Sequence, residues 1–331
     1  MGSTRVFEIN PDEIDQKAID EAAALLLGGE LVAFPTETVY GLGGLGLNPA
    51  SASKIYEAKG RPSDNPLILH IHDFQQIHVL ANGVPVEALH AAERFWPGPL
   101  TIVLAKKAFV PDATTGGLDT VAIRMPNHPV SLALLEAVGE PLAAPSANLS
   151  GKPSPTRAEH VMEDLEGVIA GVIDGGPTVI GVESTVVDFA HGKPIILRKG
   201  SISKEALNEV IPGIEDATSN HVHHSPGTRY RHYSPNARIT ILPADEKETL
   251  ALLQKEMNAG TRIGWIGPVC PDPDRMTWSF LANDADAYAK EFFSLLREMD
   301  RQQVQHIVVE PVDEVGVGAA VMDRMRKAAG I

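Results

Sequence analysis

Apolar residues near the N-terminus first follow a helical pattern and then an extended one. An amphipathic helix is predicted over about 14–27, because apolar residues recur there at helical spacing and Gly28-Gly29 follows. Its apolar face carries Ile14, Ala18, Ala22 and Leu25. The elements predicted next are a strand over 31–34, a turn at "PTETVYGLGG", a short helix near 51–58, a loop, and a strand ending at Ile71. This order of elements is typical of an α/β fold.

Four further apolar runs read as strands of the same domain. They are "LTIVLA" (100–105), "TVAIRM" (120–125), "STVVDF" (184–189) and "PIILRKG" (194–200). Helices separate several of them. One helix is predicted after Thr156, where Glu159 three residues later predicts a capping box. The first domain is therefore predicted over 1–211.

Residues 212–236 lack aliphatic periodicity and are rich in Pro, Gly, Ser and His, which predicts a linker. Beyond it, the strand-like runs "RITIL", "RIGWIG" and "HIVVEPV" alternate with helical patterns near 246–258, 285–302 and 317–329. A smaller Rossmann-like α/β domain with a largely parallel sheet is predicted over 237–331.

Composition and charge exclude several classes of protein. With 43 acidic and 28 basic residues, the formal charge of -15 disfavours bulk binding of nucleic acid. The single cysteine, Cys270, excludes an intramolecular disulfide framework and a cysteine-only metal cage. No run of eighteen apolar residues and no leader-like N-terminus is evident, so we expect a cytoplasmic protein that does not bind membranes.

The loop "KGRPSDNPL" (59–67) concentrates groups that bind anions. Lys59 offers a point charge and Arg61 a bidentate fork, and both suit phosphate and carboxylate oxygens. Ser63 and Asn65 add neutral hydrogen-bonding groups, while two prolines stiffen the loop. The alternative is a solvated surface turn.

A second polar loop, 143–156, carries Ser146, Asn148, Ser150 and Ser154 between glycines and prolines. Small residues let backbone amides approach a ligand closely, and "PTETVYGLGG" is a third loop of this kind. The alternative for 143–156 is a surface loop that leads into the next helix. Neither a dinucleotide fingerprint nor a P-loop occurs.

Three residues at strand ends each have a functional and a structural interpretation. An arginine at the end of an apolar strand needs an anionic partner, which for Arg124 is either a ligand carboxylate or a structural ion pair. Arg198 follows the same argument, with a surface salt bridge as its alternative. His70 ends "LILH", where a packed structural histidine is the alternative.

The linker itself has two interpretations. Its three clustered histidines suggest a metal site, but no acid or cysteine joins them at ligand spacing. The segment "RYRHY" instead offers cations and aromatics that can stack on a base or reach phosphates.

Six segments in order resemble L-threonylcarbamoyladenylate synthase of the long, two-domain type, with a YrdC-like catalytic domain. They are "PTETVYGLG" (35–43), "KGRPSDNPL" (59–67), "APSANLSGKPSPT" (144–156), "ESTVVD" (183–188), "ILRKG" (196–200) and "SPGTRYRHYSP" (225–235), followed by the tail "GVGAAVMDRMRKAA" (316–329). The resemblance implies a YrdC-like twisted mixed-sheet catalytic domain, a linker that folds over the active site, and the smaller C-terminal domain.

The resemblance also implies a reaction and its site. L-threonine, bicarbonate and ATP, with Mg²⁺, would give threonylcarbamoyl-adenylate and pyrophosphate, the first step of tRNA threonylcarbamoyladenosine modification. The implied catalytic residues are Lys59 and Arg61. The implied threonine-binding residues are Thr38, His70, Arg124, Ala144 and Ser184. The implied nucleotide-binding residues are Arg61, Asn65, Thr120, Ser146, Asn148, Ser154, Arg198, Tyr230 and His232.

Partners follow from the same resemblance. A separate tRNA threonylcarbamoyl transferase would take the product, and no stable direct binding of tRNA by this chain is expected. Two rival functions remain at this point: a non-enzymatic RNA-binding module with the same fold, against which the acidic charge argues, and a carbamoyl-adenylate-forming transferase. The latter should carry zinc fingers, which a chain with one cysteine cannot form.

Overall fold

The computed structural model describes residues 3–218, 233–242, 246–281 and 283–331, and they form two compact units. The first unit contains residues 3–150 and 154–218. The second contains 233–331, less the residues outside the description, and also Gly151–Pro153. The predicted boundaries at 211 and 236 stay predictions.

The first unit is built on an eleven-stranded mixed sheet. Its strands are β1 (Arg5–Glu8), β2 (Val32–Phe34), β3 (Gly41–Leu45), β4 (Ile68–His70), β5 (Leu100–Ala105), β6 (Thr120–Arg124), β7 (Leu142–Ala143), β8 (Gly171–Asp174), β9 (Thr185–Asp188), β10 (Ile195–Arg198) and β11 (Glu215–Asp216). They lie in the order β1-β8-β2-β3-β7-β4-β6-β5-β9-β10-β11. Parallel and antiparallel neighbours alternate irregularly, which confirms the predicted mixed sheet.

Eight helices accompany this sheet among the described residues of the first unit. They are α1 (Gln16–Leu27), α2 (Pro49–Lys59), α3 (Gln76–Leu80), α4 (Val86–Phe95), α5 (Asp112–Thr115), α6 (Pro129–Val138), α7 (Ala158–Leu165) and α8 (Lys204–Val210). Successive residues of β2 belong to different apolar clusters. Ala33 lies in the same cluster as Ile55, and Phe34 lies in the same cluster as Ile19. Because successive strand residues point to opposite faces, both faces of the sheet are covered here.

Two local predictions in this unit are wrong. The segment "PTETVYGLGG" is a turn only as far as Tyr40, and Gly41–Leu45 form strand β3 between β2 and β7. A Cβ at Gly43 would lie 2.9 Å from the ring of Phe34, and one at Gly46 would lie 2.5 Å from Leu69. Gly43, predicted as a turn residue, is therefore required by close packing within the sheet, and so is Gly46, which directly follows β3.

The capping box at Thr156 is also absent. Helix α7 begins at Ala158, so Glu159 is its second residue and not its third. Arg157 occupies the N-cap position without a side-chain cap, and the backbone N–H of Thr156 donates to Nδ1 of His160 at 3.2 Å. By contrast, Asp15 does cap α1 by accepting from the N–H of Ala18.

The second unit contains a four-stranded, fully parallel sheet. Its strands β12 (Arg238–Ile241), β13 (Ile263–Gly267), β14 (Thr277–Phe280) and β15 (His306–Val309) lie in the order β12-β15-β13-β14. Its helices are α9 (Glu246–Asn258), α10 (Ala285–Arg301) and α11 (Gly318–Ala329). The predicted α/β alternation is confirmed, although the sequence pattern missed β14. Within the described parts of both units, no helix is long and apolar enough to cross a membrane.

Candidate functional site

The ends of neighbouring central strands bring several predicted residues together. Strands β4 and β6 are parallel neighbours, and His70 lies in register with Arg124. Thr120 lies on the same face of β6 as Arg124, because side chains two and four residues apart in a strand share a face. All three side chains are buried. The sheet thus places predicted threonine-binding and nucleotide-binding residues on one surface.

Arg124 forms an ion pair with an acidic residue that sequence reasoning did not include. Its Nη2 lies 2.8 Å from Oε2 of Glu37, in the loop between β2 and β3, and its Nε donates to the backbone O of Gly98 at 3.4 Å. Both side chains of the pair are about 5% exposed or less. The alternative predicted for Arg124, a structural ion pair, is therefore present, and it leaves part of the guanidinium unused.

His70 is held as a neutral imidazole. Its Nδ1 lies 3.2 Å from the backbone O of Ile68 and donates to it, and the edge of its ring packs against Phe34 with centroids 6.0 Å apart. Burial, and next the positive charge of Arg124, lower the pKa of His70 to about 3. Because its one proton lies on Nδ1, the neutral ring can accept a hydrogen bond at Nε2 without adding charge to the site.

Lys59 contacts the second polar loop. Helix α2 ends at Lys59, with Gly60 in the left-handed conformation (φ 59°) turning the chain into the 59–67 loop. The buried Nζ donates to the backbone O of Ser146 at 2.5 Å and to the backbone O of Asn148, and it lies 3.4 Å from Asn148 Oδ1. The hydroxyl of Ser146 donates to the same Oδ1 at 2.5 Å. The two predicted polar loops, 59–67 and 143–156, therefore meet at the Lys59 ammonium.

Arg61 contacts backbone oxygens of its own loop. Its Nη2 donates to the backbone O of Asn65 at 3.3 Å and of Pro66 at 3.1 Å. Asn65 is fully buried, and its backbone O also accepts from the hydroxyl of Tyr56 at 3.2 Å. These bonds fix the loop around a half-buried guanidinium.

Ser184 and Arg198 form a third connected group at the start of β9 and the end of β10. Arg198 Nε donates to the backbone O of Ser184 at 3.0 Å, and its Nη2 lies 3.0 Å from the Ser184 hydroxyl. That hydroxyl is 2.7 Å from Oγ1 of Thr101. Arg198 is only 7% exposed, so the surface salt bridge considered for it is excluded.

The remaining predicted residues lie in the loops around this surface. Thr38 is fully buried, and its hydroxyl is 2.8 Å from that of Thr36. The backbone N–H of Ala144 donates to Ile68 O at 2.9 Å. Ser154 donates to Oε1 of Glu183 at 2.5 Å. Tyr230, His232 and the linker histidines lie outside the described residues.

The chain is similar to known proteins over nearly its whole length. A family model described as "Telomere recombination" matches residues 24–200, and one described as "Threonylcarbamoyl-AMP synthase, C-terminal domain" matches 202–330. Threonylcarbamoyl-AMP synthase of Pyrococcus abyssi (strain GE5 / Orsay) is 47% identical, covering 96% of each chain. That of Bacillus subtilis (strain 168) is 45% identical over 100% of this chain and 99% of its own. The chain belongs to the threonylcarbamoyl-AMP synthase family.

A solved member of the family has the same fold. The crystal structure of P. abyssi Sua5 complexed with L-threonine is similar, with a TM-score of 0.94, 46% sequence identity, and coverage of 99% of this chain and 98% of that one. The predictions of an enzyme and of the long, two-domain synthase type are thereby confirmed.

The sequence did not indicate two buried acidic residues of the candidate site, Glu37 and Glu183. Each is adjacent to a predicted threonine-binding residue, Thr38 or Ser184, and each stands in an otherwise apolar or neutral segment. Burying a carboxylate next to a strand costs free energy unless the carboxylate is paired. An acidic residue in such a segment could therefore have indicated a buried partner or ligand.

Proposed function

We propose that these residues form the active site in which the enzyme joins L-threonine, bicarbonate and ATP into threonylcarbamoyl-adenylate and pyrophosphate. The observation that carries this proposal is the meeting of Lys59 with the Ser146–Asn148 segment, beside a sheet surface that bears Arg124, Ser184 and Arg198. The reaction needs no protein nucleophile, because the substrates themselves supply the attacking atoms.

The chemistry brings anions together in both of its steps. The threonine amine attacks the carbon of bicarbonate, or of the carbon dioxide formed from it; the amine loses a proton, the bicarbonate loses its hydroxyl as water, and a carbamate results. A carbamate oxygen then attacks the α-phosphorus of ATP, and the bond to pyrophosphate breaks. Catalysis by fixed positive charge and by positioning is therefore expected.

Lys59 and Arg61 take the catalytic role in this proposal. An ammonium already held by carbonyl oxygens needs little reorganisation when charge develops on a reacting oxygen, so Lys59 would stabilise the carbamate and the α-phosphate. The guanidinium of Arg61, held in its loop by backbone oxygens, would contact the phosphates, and Asn65 would position that loop.

The substrate sites divide along the sheet surface. Arg124 would bind the threonine carboxylate, with Thr38, His70, Ala144 and Ser184 around the rest of the amino acid. Thr120, Ser146, Asn148, Ser154 and Arg198 would bind the nucleotide, with Tyr230 and His232 of the linker as further contacts. The contact between Ser184 and Arg198 supports adjacent threonine and ATP sites.

Mg²⁺ would accompany ATP in this proposal. No group of three or more His, Cys, Asp or Glu side chains able to hold a metal occurs among the described residues. Mg²⁺ commonly binds through substrate phosphates with few protein ligands, and that mode fits these residues better than a protein cage. Bound there, the ion would neutralise charge on the departing pyrophosphate.

Partners and location complete the proposal. The product is a reactive mixed anhydride, so we propose that a separate tRNA threonylcarbamoyl transferase takes it up. The net charge of -15 supports the absence of stable binding of tRNA by this chain. The single cysteine and the use of ATP support a cytoplasmic location.

The decisive experiment measures pyrophosphate release from ATP by the purified full chain. Release should require both L-threonine and bicarbonate and should fall to background when either is omitted. A gel shift with tRNA, run in parallel, should show no stable complex. Release that is independent of threonine would contradict the proposal.

A further inference from the structure

Glu37 is a buried carboxylate whose hydrogen-bonding capacity is unused. It is 3% exposed, and neither Oε1 nor Oε2 has a hydrogen-bond donor among the described residues. Arg124 Nη2 is close, at 2.8 Å from Oε2, but the contact lacks the alignment of a hydrogen bond, and Nη2 is itself unsatisfied. A buried ion pair repays the cost of desolvation only when its remaining polar atoms are also satisfied. This pair therefore has capacity for a ligand.

The backbone that carries Glu37 is firmly held. The carbonyl O of Glu37 accepts from the N–H of Ile180 at 2.9 Å, and the carbonyl O of Thr38 accepts from Gly181 at 3.0 Å. On the other side, Oγ1 of Thr36 accepts from the N–H of Thr38 at 3.1 Å. The backbone from which the carboxylate extends is thus fixed by bonds that a ligand does not need to form.

The charges around Glu37 indicate which ligand fits. Arg124 is a permanent cation beside it. Burial lowers the pKa of His128, against the opposing effect of the Glu37 charge, so this imidazole stays neutral and adds no second cation. A metal ion bound at Glu37 would be repelled by Arg124. A zwitterion would not be, because its own carboxylate neutralises the guanidinium while its ammonium meets Glu37.

We infer that Glu37 binds the ammonium group of the amino acid substrate, while Arg124 beside it binds the substrate carboxylate. This inference rests on the threonine site proposed above. The Glu37–Arg124 pair would then match the two charges of an α-amino acid zwitterion. Hydroxy acids and simple carboxylates lack the ammonium group, so they would bind more weakly.

The test separates recognition of the ammonium from a structural role. L-threonine and (R)-3-hydroxybutanoate, which is threonine without its amino group, are titrated into the full chain by calorimetry and by competition. In Glu37→Gln, we expect threonine to bind at least about thirtyfold more weakly, as for a lost charge-assisted hydrogen bond in a buried site. The hydroxybutanoate should bind equally well or more tightly, because a negative charge beside an anion has been removed.

A structural role gives a different result, in which both ligands weaken by the same factor, and that outcome would overturn the inference. Equal binding of threonine by wild type and Glu37→Gln would overturn it too. Failure of the wild type to bind threonine would instead reject the proposed function. If Glu37→Gln does not fold, Glu37→Asp keeps the charge at shorter reach and should weaken threonine binding selectively.

The matched control is Asp188→Asn. Asp188 is also 3% exposed, and it is paired with a basic side chain, since its Oδ2 lies 2.7 Å from His191 Nδ1. Its loss should change stability but leave the ratio of the two affinities within about twofold of the wild-type value.

Discussion

Two buried arginines, one in each unit, are paired in different ways. Arg124 lies beside Glu37, and neither Nη2 of Arg124 nor the two carboxylate oxygens of Glu37 has a hydrogen-bond partner among the described residues. Arg324 in the second unit is fully buried, but it bonds to Asp323 and its guanidinium lies 5.4 Å from the centre of the Tyr233 ring. A buried charged side chain whose polar atoms lack hydrogen bonds therefore suggests a ligand site. One whose polar atoms are bonded to neighbouring side chains suggests a structural role.

The partner of Arg324 strengthens the contrast. Asp323 also accepts from Lys327 Nζ at 2.8 Å. Burial by itself would raise the pKa of Asp323, but the positive charges of Arg324 and Lys327 outweigh it and hold the pKa below its ordinary value. Both ring nitrogens of the buried His306 also have partners. Nδ1 lies 2.8 Å from Oε2 of Glu256, and Nε2 lies 2.8 Å from Oγ1 of Thr240.

The largest expected effect is at Lys59. Lys59→Met removes a fixed cation while keeping most of the side-chain volume, so we expect pyrophosphate release to fall by at least about a hundredfold. The carbonyl oxygens of Ser146 and Asn148 lose a donor, and this should cost roughly 1–3 kcal/mol of unfolding free energy. Lys54→Met, on the exposed side of the same helix, should stay within about twofold of wild-type activity. Near-normal activity of Lys59→Met would show that its bonds serve only the fold.

Smaller effects are expected at the two strand-end arginines. Arg124→Ala should weaken threonine binding by about thirtyfold or more with little effect on ATP binding. Arg198→Ala should weaken ATP binding with little effect on threonine, because the two arginines are proposed to bind different anions. Calorimetry with each ligand measures both, and the exposed Arg94→Ala provides the control. Unchanged affinities in both variants would remove these residues from the site.

A third prediction concerns acid stability. The pKa of His70 is lowered to about 3 in the folded chain, so the unfolded chain alone binds a proton between about pH 6.5 and 3. The free energy of unfolding should therefore fall as pH drops through this window, with His70 contributing up to about 1.4 kcal/mol per pH unit. Urea unfolding of His70→Gln at pH 7 and pH 5 should show a flatter dependence than wild type. An unaltered slope would mean that His70 takes up a proton in the folded state.

The smallest effect is expected in the second unit at an exposed ion pair. Arg326 contacts Glu314, and both side chains are more than 40% exposed. Arg326→Ala should lower the free energy of unfolding by no more than about 1 kcal/mol and leave pyrophosphate release unchanged. Thermal unfolding and the release assay check both. A tenfold loss of activity would give this unit a direct part in the reaction.

Local periodicity was sufficient to predict much of the fold. Strand β5 begins and ends at the predicted residues 100 and 105, and the predicted helix at 246–258 is α9. Strand β3 could not be predicted, because a run of glycines is typical of turns and only pairing with β2 and β7 makes it a strand. Strand β14 was missed because Thr277–Phe280 is short and lies among polar residues.

For the site, the sequence indicated individual groups but not their partners. Lys59, Arg124 and Arg198 were identifiable because buried or loop cations are unusual and match the motifs of a known family. The pairing of Arg124 with Glu37 depends on contact between a loop and a strand that are distant in sequence, and no local pattern encodes it. The roles of the individual residues stay predictions until variants are measured.

Gly43 in β3 and Gly46 just after it affect how a saturation-mutagenesis map of this protein should be interpreted. Any side chain at Gly43 would collide with Phe34, and any at Gly46 with Leu69 and the backbone O of Pro141. A growth-based screen would score both positions as intolerant, next to Thr38, where intolerance would reflect lost binding. The two causes can be separated by measuring the abundance of each variant, since crowding at the glycines should deplete folded protein, whereas a conservative change at Thr38 should leave protein that accumulates without activity.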